Sequence, residues 1–337
     1  MRTVLVTGGA GFIGSNFVRM VLQEHRDIRV VNLDKLTYAG NLENLADCRN
    51  HPNHIFVKGD ICDAPMVSEI VNKYQIDAII NFAAESHVDR SLVEPGVFIE
   101  TNIYGTLTLL KIALEKKMER FVQISTDEVY GSLGPDGKFT EMTPLSPNSP
   151  YSASKAAADM LVRAFGHSWG LRYNITRCSN NYGPYQFPEK MIPLMINNAL
   201  NDKPLPVYGD GLHVRDWLYV YDHCTAVWDV FIKAQPGTIY NIGGNNEKHN
   251  LDVVRLILSH LGKPESLITY VKDRPGHDRR YAIDSSKIMS DLNWKPSLQF
   301  EEGISKTIQW YLDHKDWLNH IVSGQYQEYY KTMYSNR

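Results

Sequence analysis

The chain has 337 residues, enough for one large domain or two fused ones at about 150 residues per domain. It is 43% hydrophobic and 22% charged with a net charge of −3, which is typical of a soluble globular protein and argues against electrostatic nucleic-acid binding. Its four cysteines show no C-x-x-C spacing, so neither a disulfide scaffold nor a zinc module is predicted. No leader precedes the first strand-like run, and no apolar stretch approaches the ~18 residues of a membrane helix. We therefore expect a cytoplasmic protein.

Short β-rich runs alternate with helical patterns through the first half of the chain. The predicted strands cover 3–7, 28–34, 55–57, 78–82 and 121–125, and the predicted helices cover 12–24, 65–74 and 101–116. Apolar strands that alternate with helices are typical of a parallel sheet covered on both faces. The sequence therefore predicts an α/β fold of the Rossmann type, with a doubly wound parallel sheet.

The pattern becomes less regular after about residue 180. Five prolines interrupt the chain between 184 and 206, and beyond them we predict only a strand at 238–243 and helices at 251–261 and 300–314. We therefore predict a dinucleotide-binding domain over 1–180, with returning segments near 218–245. The remainder, 181–337, is predicted to be mainly a smaller, mixed substrate-binding lobe, with the ligand in the cleft between the two.

A glycine-rich turn separates the first strand from the first helix. Gly8, Gly11 and Gly14 are spaced G-x-x-G-x-x-G, which suits a tight turn, close approach to a pyrophosphate and close helix packing. Asp34 ends the second strand, where its carboxylate would accept from the ribose hydroxyls and repel a 2′-phosphate, which favours NAD over NADP. Asp60 follows the third strand and is placed to meet the adenine, although a loop or cap role for it stays open.

Tyr151 and Lys155 lie four residues apart, on one face of a helix. A tyrosine has a pKa of about 10, and a lysine cation together with a positive nicotinamide ring would favour its phenolate and make it a usable base. An ordinary exposed Tyr–Lys pair is the alternative.

Thr126, Asp127 and Glu128 follow one another at the end of the fifth strand. The hydroxyl and a tyrosine base are sufficient for an epimerase, whereas the two carboxylates add an acid and a base, which the removal of water requires. The alternative is a solvated turn whose acidic residues cap a helix.

These motifs resemble those of the extended short-chain dehydrogenases/reductases, and most closely the dTDP-glucose 4,6-dehydratase family. The similarity extends from the first strand to about residue 315, and it rests on the Thr-Asp-Glu triplet and on the segments 83–91, 151–155, 177–184, 213–217 and 273–277. It implies NAD as cofactor, dTDP-glucose as substrate and a 4-keto-6-deoxy sugar plus water as products, in deoxysugar or rhamnose-type biosynthesis. It also implies a homodimer formed by helices near 101–116 and 153–165, with no metal and no nucleic-acid or membrane partner.

The resemblance also implies roles for the catalytic residues. Tyr151 would take the proton from the sugar O4 while hydride leaves C4 for NAD⁺, and Thr126 would hydrogen-bond to O4. Glu128 would remove the C5 proton, and Asp127 would protonate the departing C6 hydroxyl. Asp127 must then stay protonated near neutral pH, so we expect burial and the adjacent Glu128 to raise its pKa.

The resemblance assigns further residues to the two ligands. Besides Tyr151 and Lys155, the implied NAD contacts are Gly8, Gly11, Phe12, Ile13, Gly14, Asp34, Lys35, Leu36, Thr37, Asp60, Ile61, Phe82, Ala83, Ala84, Ser86, Thr101 and Asn181. The implied nucleotide-sugar contacts are Ser86, His87, Thr126, Asn180, Glu189, Lys190, Pro206, Tyr208, Arg215, Asn250, Asp273, Arg274 and His277.

Other functions stay open at this point. A nucleotide-sugar 4-epimerase, a decarboxylase or a GDP-mannose dehydratase would share the fold and most of the motifs. A dinucleotide sensor without catalysis is a further alternative, although it would be free to lose Tyr151 or Lys155. Uracil and thymine differ by one methyl group, so the base is not fixed by the sequence.

Overall fold

The computed structural model describes residues 1–322, and its strands and helices are numbered here in chain order. The strands are β1 (Arg2–Thr7), β2 (Ile28–Asp34), β3 (His54–Lys58), β4 (Ala78–Asn81), β5 (Arg120–Thr126), β6 (Tyr173–Cys178), β7 (Asn180–Tyr182), β8 (Leu205–Tyr208), β9 (Val214–Tyr219), β10 (Thr238–Ile242), β11 (Glu247–His249) and β12 (Ile268–Val271). The helices are α1 (Phe12–Glu24), α2 (Ala64–Tyr74), α3 (Val88–Val93), α4 (Pro95–Phe98), α5 (Thr106–Glu115), α6 (Pro150–Trp169), α7 (Met191–Leu200), α8 (Val220–Lys233), α9 (Asn250–Leu261), α10 (Ser286–Leu292), α11 (Phe300–Asp313) and α12 (Lys315–Ile321).

Seven parallel strands form the central sheet, in the order β10-β6-β5-β4-β1-β2-β3. Successive residues of each strand face opposite sides, so Val4 and Val6 pack with α1 and α8 while Leu5 packs with α2, α5 and α6. The predicted doubly wound α/β fold is confirmed. The strand order reverses between β1 and β4, and in such sheets ligands bind outside the carboxyl ends of the strands at this point.

The second lobe is a smaller mixed structure. It contains a three-stranded sheet, β11-β9-β7, and a two-stranded sheet, β12-β8, with a core that includes Tyr182, Trp217, Phe300 and Tyr311. Two segments from the second half of the chain return to the first, because β10 pairs with β6 and α8 packs against α1. The proposed boundary at residue 180 stays a prediction, and the part of that lobe beyond residue 322 lies outside the described residues.

Several regular elements were missed from the sequence, among them β6 in the central sheet and, beyond residue 180, α7, α8 and the strands β7, β8 and β9. β6 is a central strand, but the buried polar side chains of Asn174, Thr176 and Arg177 interrupt the apolar run expected of one. α8 was also missed, so the prediction that regularity fades after residue 180 was wrong. The helix predicted at 101–116 is the later part of a helical run that begins earlier, at Pro95. This run consists of α4, a π-helical segment Ile99–Gly105, and α5.

The helical run from Pro95 to Glu115 is long and apolar enough to cross a membrane by length and composition alone. This corrects the expectation that no stretch approaches that length. Half of its apolar window is buried within the fold, and core helices of soluble proteins meet the same criterion. The run is therefore weak evidence for a membrane span.

Candidate active site

A cleft lies along the carboxyl ends of the central strands and continues to the loop at 186–190. Of the site residues predicted from the sequence, those that line it are Gly8, Gly11, Phe12, Ile13, Gly14, Asp34, Lys35, Thr37, Asp60, Ile61, Phe82, Ala83, Ala84, Ser86, Thr101, Thr126, Asp127, Glu128, Tyr151, Lys155, Asn180, Asn181, Glu189 and Lys190. The predicted residues outside this lining are Leu36, His87, Pro206, Tyr208, Arg215, Asn250, Asp273, Arg274 and His277.

Of the three glycines in the turn, Gly11 is the one that leaves room for a ligand. Gly8 has a φ of +69°, and a Cβ there would lie 2.6 Å from the Ala83 backbone nitrogen. A Cβ on Gly14 would overlap the Gly8 carbonyl oxygen, whereas one on Gly11 would meet only that oxygen, at 3.3 Å, and would otherwise enter the cleft. The N-terminus of α1 has no side-chain cap and no acidic residue in its first turn, so its N–H groups suit a pyrophosphate.

Asp34 joins the end of β2 to the glycine turn. Its two carboxylate oxygens accept hydrogen bonds from the backbone N–H groups of Ala10 (2.9 Å) and Leu36 (2.8 Å). Burial raises the pKa of Asp34, and the two backbone donors act against that rise. A carboxylate held in this way can still accept from ribose hydroxyls. These features together fit the adenosine half of NAD.

Lys35 and Asp60 form an ion pair across the ends of β2 and β3, with 2.6 Å between Nζ and Oδ2. The other carboxylate oxygen of Asp60 accepts from the backbone N–H of Cys62 at 2.9 Å. Asp60 therefore has a local structural role and also lines the cleft, so both interpretations of this residue stay open.

The Thr-Asp-Glu triplet forms the turn that follows β5. Thr126 caps the short 3₁₀ helix Asp127–Tyr130 by accepting from the backbone N–H of Glu128, and its hydroxyl donates to Asp127 Oδ1, both at 3.3 Å. Asp127 Oδ2 is buried and has no hydrogen-bond partner within residues 1–322. This unpaired oxygen is available to a ligand in the cleft.

The surroundings shift the pKa values of the Asp127 and Glu128 carboxyl groups to different extents. Burial raises the pKa of Asp127 well above its ordinary value, and the negative charges of Glu128 and Asp216 add to the rise, in the direction expected from the sequence. Burial also raises the pKa of Glu128, but the charges of Arg274, Arg215 and Lys190 act against it. The pKa of Asp127 is thus raised more strongly than that of Glu128, so the surroundings favour Asp127 as the group of this turn that keeps a proton.

The Tyr–Lys pair lies in the first two turns of α6, which begins at a capping box formed by Ser149 and Ser152. Both side chains are buried, and Lys155 Nζ donates to the Ile124 carbonyl of β5 at 2.6 Å. This hydrogen bond places the Lys155 ammonium group near the carboxyl end of β5, close to the Thr-Asp-Glu triplet.

Burial dominates the pKa of the tyrosine. Burial and the negative charge of Glu128 raise the pKa of Tyr151 well above 10, although a hydrogen bond with Thr126 acts in the opposite direction. The side chains of this protein therefore do not favour the phenolate by themselves. The positive nicotinamide ring of NAD⁺ is the further charge that the site needs.

The opposite wall of the cleft comes from the loop before α7. Lys190 Nζ donates to the Ser86 carbonyl at 2.8 Å, and the buried Glu189 forms an ion pair with Arg90 at 3.1 Å. The Arg90 guanidinium also lies over the ring of Tyr38, 3.7 Å from its centroid. The loop after β2 is thereby connected to the substrate side of the cleft.

Several predicted substrate residues lie beyond the cleft lining and bond to the neighbouring residues Asp89 and Asp278. Arg274 pairs with Asp89 at 3.0 Å, and the Tyr208 hydroxyl donates to the same carboxylate at 2.9 Å. Arg215 is buried and donates to the Asp278 carbonyl at 2.9 Å. The charges of Arg215 and Arg274 act on Glu128. This network therefore adjoins the Thr-Asp-Glu turn after β5, which is called the catalytic turn below.

The remaining predicted substrate residues have mainly structural neighbours. Pro206 is buried in β8, Asn250 begins α9, and the buried His87 precedes α3. The positive φ of Leu36 (57°) belongs to the turn held by Asp34. Nothing in these positions assigns a ligand contact.

Within residues 1–322 one cluster gathers three side chains of metal-binding type, His213, Asp273 and His277, with ligand atoms within 4.8 Å of one another. The two imidazole rings stack with their centroids 3.7 Å apart. Burial and the charges of Arg274 and Arg215 lower the pKa of His277 to about 3. These positive neighbours disfavour a cation, and the sequence predicted no metal site.

Sequence reasoning included Glu85, within the range 82–86, but missed part of the lining, which consists of Leu33, Ala39, Gly40, Gly59, Ile124, Ser125, Cys178, Ser179, Gln186 and Phe187. Cys178 had a usable signal, because it ends β6 directly opposite Thr126 in the sheet. Phe187 had none, since its edge contact with Tyr38, at 5.6 Å, depends on how two distant loops meet.

Comparison with known proteins agrees with this geometry. The family model described as GDP-mannose 4,6 dehydratase matches residues 5–307. A dTDP-glucose 4,6-dehydratase of Xanthomonas campestris pv. campestris is 56% identical, over 97% of this chain and 98% of that protein.

Two solved structures are also similar. A dTDP-glucose 4,6-dehydratase from Bacillus anthracis in complex with NAD has a TM-score of 0.90 and 50% identity over 95% of this chain and 100% of that one. The corresponding enzyme from Streptomyces venezuelae, also with NAD bound, has a TM-score of 0.92 and 47% identity over 95% and 99%. With the catalytic turn and the Tyr–Lys pair in one cleft, this chain belongs to the dTDP-glucose 4,6-dehydratase family of extended short-chain dehydrogenases/reductases.

Proposed function

We infer that this chain is an NAD-dependent hydro-lyase that converts dTDP-glucose to dTDP-4-keto-6-deoxy-glucose and water. The reaction oxidises C4 and eliminates water across C5 and C6. Hydride then returns to C6 and a proton to C5, so the cofactor ends in its starting state. The observation that carries this conclusion is the Asp127–Glu128 pair beside Thr126, with Asp127 buried and Glu128 half-buried, in the same cleft as Tyr151. A 4-epimerase has no use for that additional acid and base.

NAD would lie along the carboxyl ends of β1, β2 and β4. The N-terminus of α1 and the open space at Gly11 would hold the pyrophosphate, and Asp34 would accept from the adenosine ribose. When bound, NAD supplies the acceptor and donor of hydride for the two redox steps. We propose that the domain over 1–180, with β10 and α8, binds this cofactor, and that most of the remaining chain binds the nucleotide-sugar.

The acid and base steps belong to the residues around the end of β5. Tyr151 would accept the proton of the sugar O4, with Thr126 holding that oxygen. Oxidation at C4 acidifies the C5 proton, which Glu128 would then remove. Asp127 would give its proton to the departing C6 hydroxyl, so that water leaves. The raised pKa of Asp127 supports this assignment, because only its protonated form can donate.

The network beyond the cleft supports a diphosphate subsite. The guanidinium groups of the buried Arg215 and the half-buried Arg274 act on Glu128, and Lys190 adds a third cation. Guanidinium forks match phosphate oxygens in bidentate geometry. We propose that these three residues bind the diphosphate, with the other implied substrate residues around it.

The test is incubation of purified protein with dTDP-glucose without added NAD, followed by mass spectrometry. Loss of one water with the nucleotide intact is the expected result, and it also shows that NAD co-purifies. An unchanged mass would overturn the dehydratase assignment, and proton NMR of the recovered nucleotide-sugar would then show whether dTDP-galactose has formed, because that epimer has the same mass as dTDP-glucose. The same incubation with UDP-glucose tests the choice of base. Tyr151→Phe is the matched control, since it should abolish turnover and leave NAD binding nearly unchanged.

We further propose a homodimer that works in the cytoplasm. Large apolar side chains are exposed around the run before α5 and on α6, including Val93, Ile99, Tyr104 and Met160, and a second copy would cover them. The four cysteines are free thiols, as expected in a reducing compartment. Sedimentation of the wild type and of Met160→Glu tests the dimer, which the charge should weaken.

A further inference from the structure

Asp159 is a buried acidic residue that no step above uses. Tyr151, Lys155 and Asp159 occur at four-residue intervals along α6, so their side chains follow one another on one face of the helix. Lys155 is 4% exposed and Asp159 is 1% exposed. The base, the lysine and this carboxylate therefore form a buried row beside β5 and β6.

Arg177, a residue of β6, holds Asp159 in its orientation. Arg177 Nε bonds to Asp159 Oδ2 at 2.9 Å, and Arg177 Nη1 donates to the Tyr130 hydroxyl at 2.9 Å. That hydroxyl donates in turn to Asn241 Oδ1 at 2.7 Å. Each member of this chain of bonds is buried, so the carboxylate has little freedom to move away from α6.

The charge of Lys155 depends on few neighbours. Tyr151 and Asp159 flank it on α6, Cys178 faces it from β6, and its Nζ donates to the Ile124 carbonyl of β5. Burial lowers the pKa of Lys155, and the charge of Asp159 acts against that fall. Burial raises the pKa of the Cys178 thiol to about 12, so the thiol is neutral near pH 7. Burial also raises the pKa of Asp159, while the charges of Arg177 and Lys155 act against that rise. Asp159 is thus the acidic neighbour whose charge opposes the burial of the lysine.

We propose that Asp159 is a positioning residue that keeps the Lys155 ammonium group charged and seated between Tyr151 and the cofactor cleft. Arg177 orients Asp159 for this role. The inference rests on the proposed function, because it assigns a purpose to the charge of Lys155 in binding NAD and in assisting Tyr151.

The test compares wild-type holoenzyme with Asp159→Asn across pH. Two quantities are followed: turnover of dTDP-glucose, and NAD retained per chain after gel filtration. Asp159→Asn removes the anion, so the alkaline fall of both quantities should move to lower pH by about one unit or more. Below that fall, the variant should retain NAD as the wild type does.

The matched control is Tyr130→Phe, which weakens the same buried network and leaves the carboxylate beside Lys155 in place. It should lower thermal stability without moving either pH profile. Because Asp159→Asn leaves Arg177 buried without its anion and can fail to fold, Asp159→Asn/Arg177→Gln serves as a second variant with no unpaired charge. In this double variant, the alkaline fall of turnover and of NAD retention should move to lower pH as in Asp159→Asn.

The proposal is overturned if either variant at Asp159 has the alkaline profile of the wild type for NAD retention, since Asp159 would then only anchor Arg177. Failure of the proposed function is a separate result. In that case the wild type would not dehydrate dTDP-glucose, while NAD retention would still report on Asp159.

Discussion

The carboxylate of Asp34 accepts a hydrogen bond from the backbone N–H of Ala10, which ties the end of β2 to the glycine turn after β1. Its second oxygen accepts from the N–H of Leu36 and holds the next loop. One side chain therefore orders two neighbouring turns of the cleft, and the same residue lines the part of the cleft where we propose that the adenosine ribose binds. We expect cofactor binding to depend on this residue twice, through direct contact and through the shape of the turn.

Asp34→Asn should lower NAD affinity by about 1–3 kcal/mol. The amide nitrogen of asparagine cannot accept, so one of the two backbone N–H groups loses its partner. The measurement is NAD retained per chain after purification, read from the absorbance of the released nucleotide.

Asp60→Asn is the comparison for Asp34→Asn. If Asp60 mainly holds Lys35 and Cys62, its variant should retain more NAD than Asp34→Asn does. Equal losses in the two variants would contradict the special position assigned to Asp34.

Gly11→Ala should exclude the cofactor and leave the fold intact. The added Cβ meets the Gly8 carbonyl oxygen at a tolerable 3.3 Å and otherwise enters the space assigned to the pyrophosphate. Calorimetric titration with NAD should show weaker binding, while far-ultraviolet circular dichroism stays that of the wild type.

Gly14→Ala makes a useful contrast to Gly11→Ala, because its Cβ would overlap backbone atoms of the turn. It should lower thermal stability as well as NAD binding. Normal NAD affinity in Gly11→Ala would mean that the pyrophosphate lies elsewhere.

Asp127→Asn should preserve oxidation at C4 and slow the loss of water by roughly 10²–10⁴-fold, since asparagine cannot donate the proton that the leaving hydroxyl needs. Mixing the variant with dTDP-glucose should therefore accumulate reduced nicotinamide, which absorbs in the near ultraviolet.

Glu128→Gln separates the acid from the base. In deuterium oxide, Asp127→Asn should still exchange the C5 proton of the sugar, whereas Glu128→Gln should not. If Asp127→Asn dehydrates at the wild-type rate, the acid is another group.

The features that were predictable from sequence are those encoded within short segments. The glycine turn, the triplet after β5 and the Tyr–Lys pair each lie within a few residues, and their place at strand or helix ends follows from local patterns. Their convergence follows as well, because the carboxyl ends of parallel strands share one edge of the sheet.

Features that depend on distant segments were not predictable in this way. The pairing of Arg274 with Asp89 joins residues 185 positions apart, and no local pattern indicates it. Part of the surroundings of Tyr151 was missed for a related reason, since the i,i+4 spacing reveals Lys155 but not the burial of the phenol or the nearness of Glu128. β6 was missed because Arg177 and Asn174 are buried with partners supplied by other elements.

His223 is fully buried on α8, and its Nδ1 atom lies 2.9 Å from Asn181 Oδ1. Burial lowers its pKa from 6.5 to about 3, so the folded chain holds it neutral. The unfolded chain takes up a proton below about pH 6.5, and the folded chain does so only near pH 3. Stability from this residue is therefore complete above pH 6.5 and is lost as the pH falls.

Between pH 7 and pH 5, His223 should account for a loss of about 2 kcal/mol in the free energy of unfolding. His223→Gln removes the titrating group, so urea unfolding with saturating NAD should show a smaller difference between the two pH values than the wild type does. The same change at the exposed His167 is the control and should leave the difference unaltered. Identical pH dependence in the wild type and His223→Gln would mean that α8 opens to admit the proton without unfolding the chain.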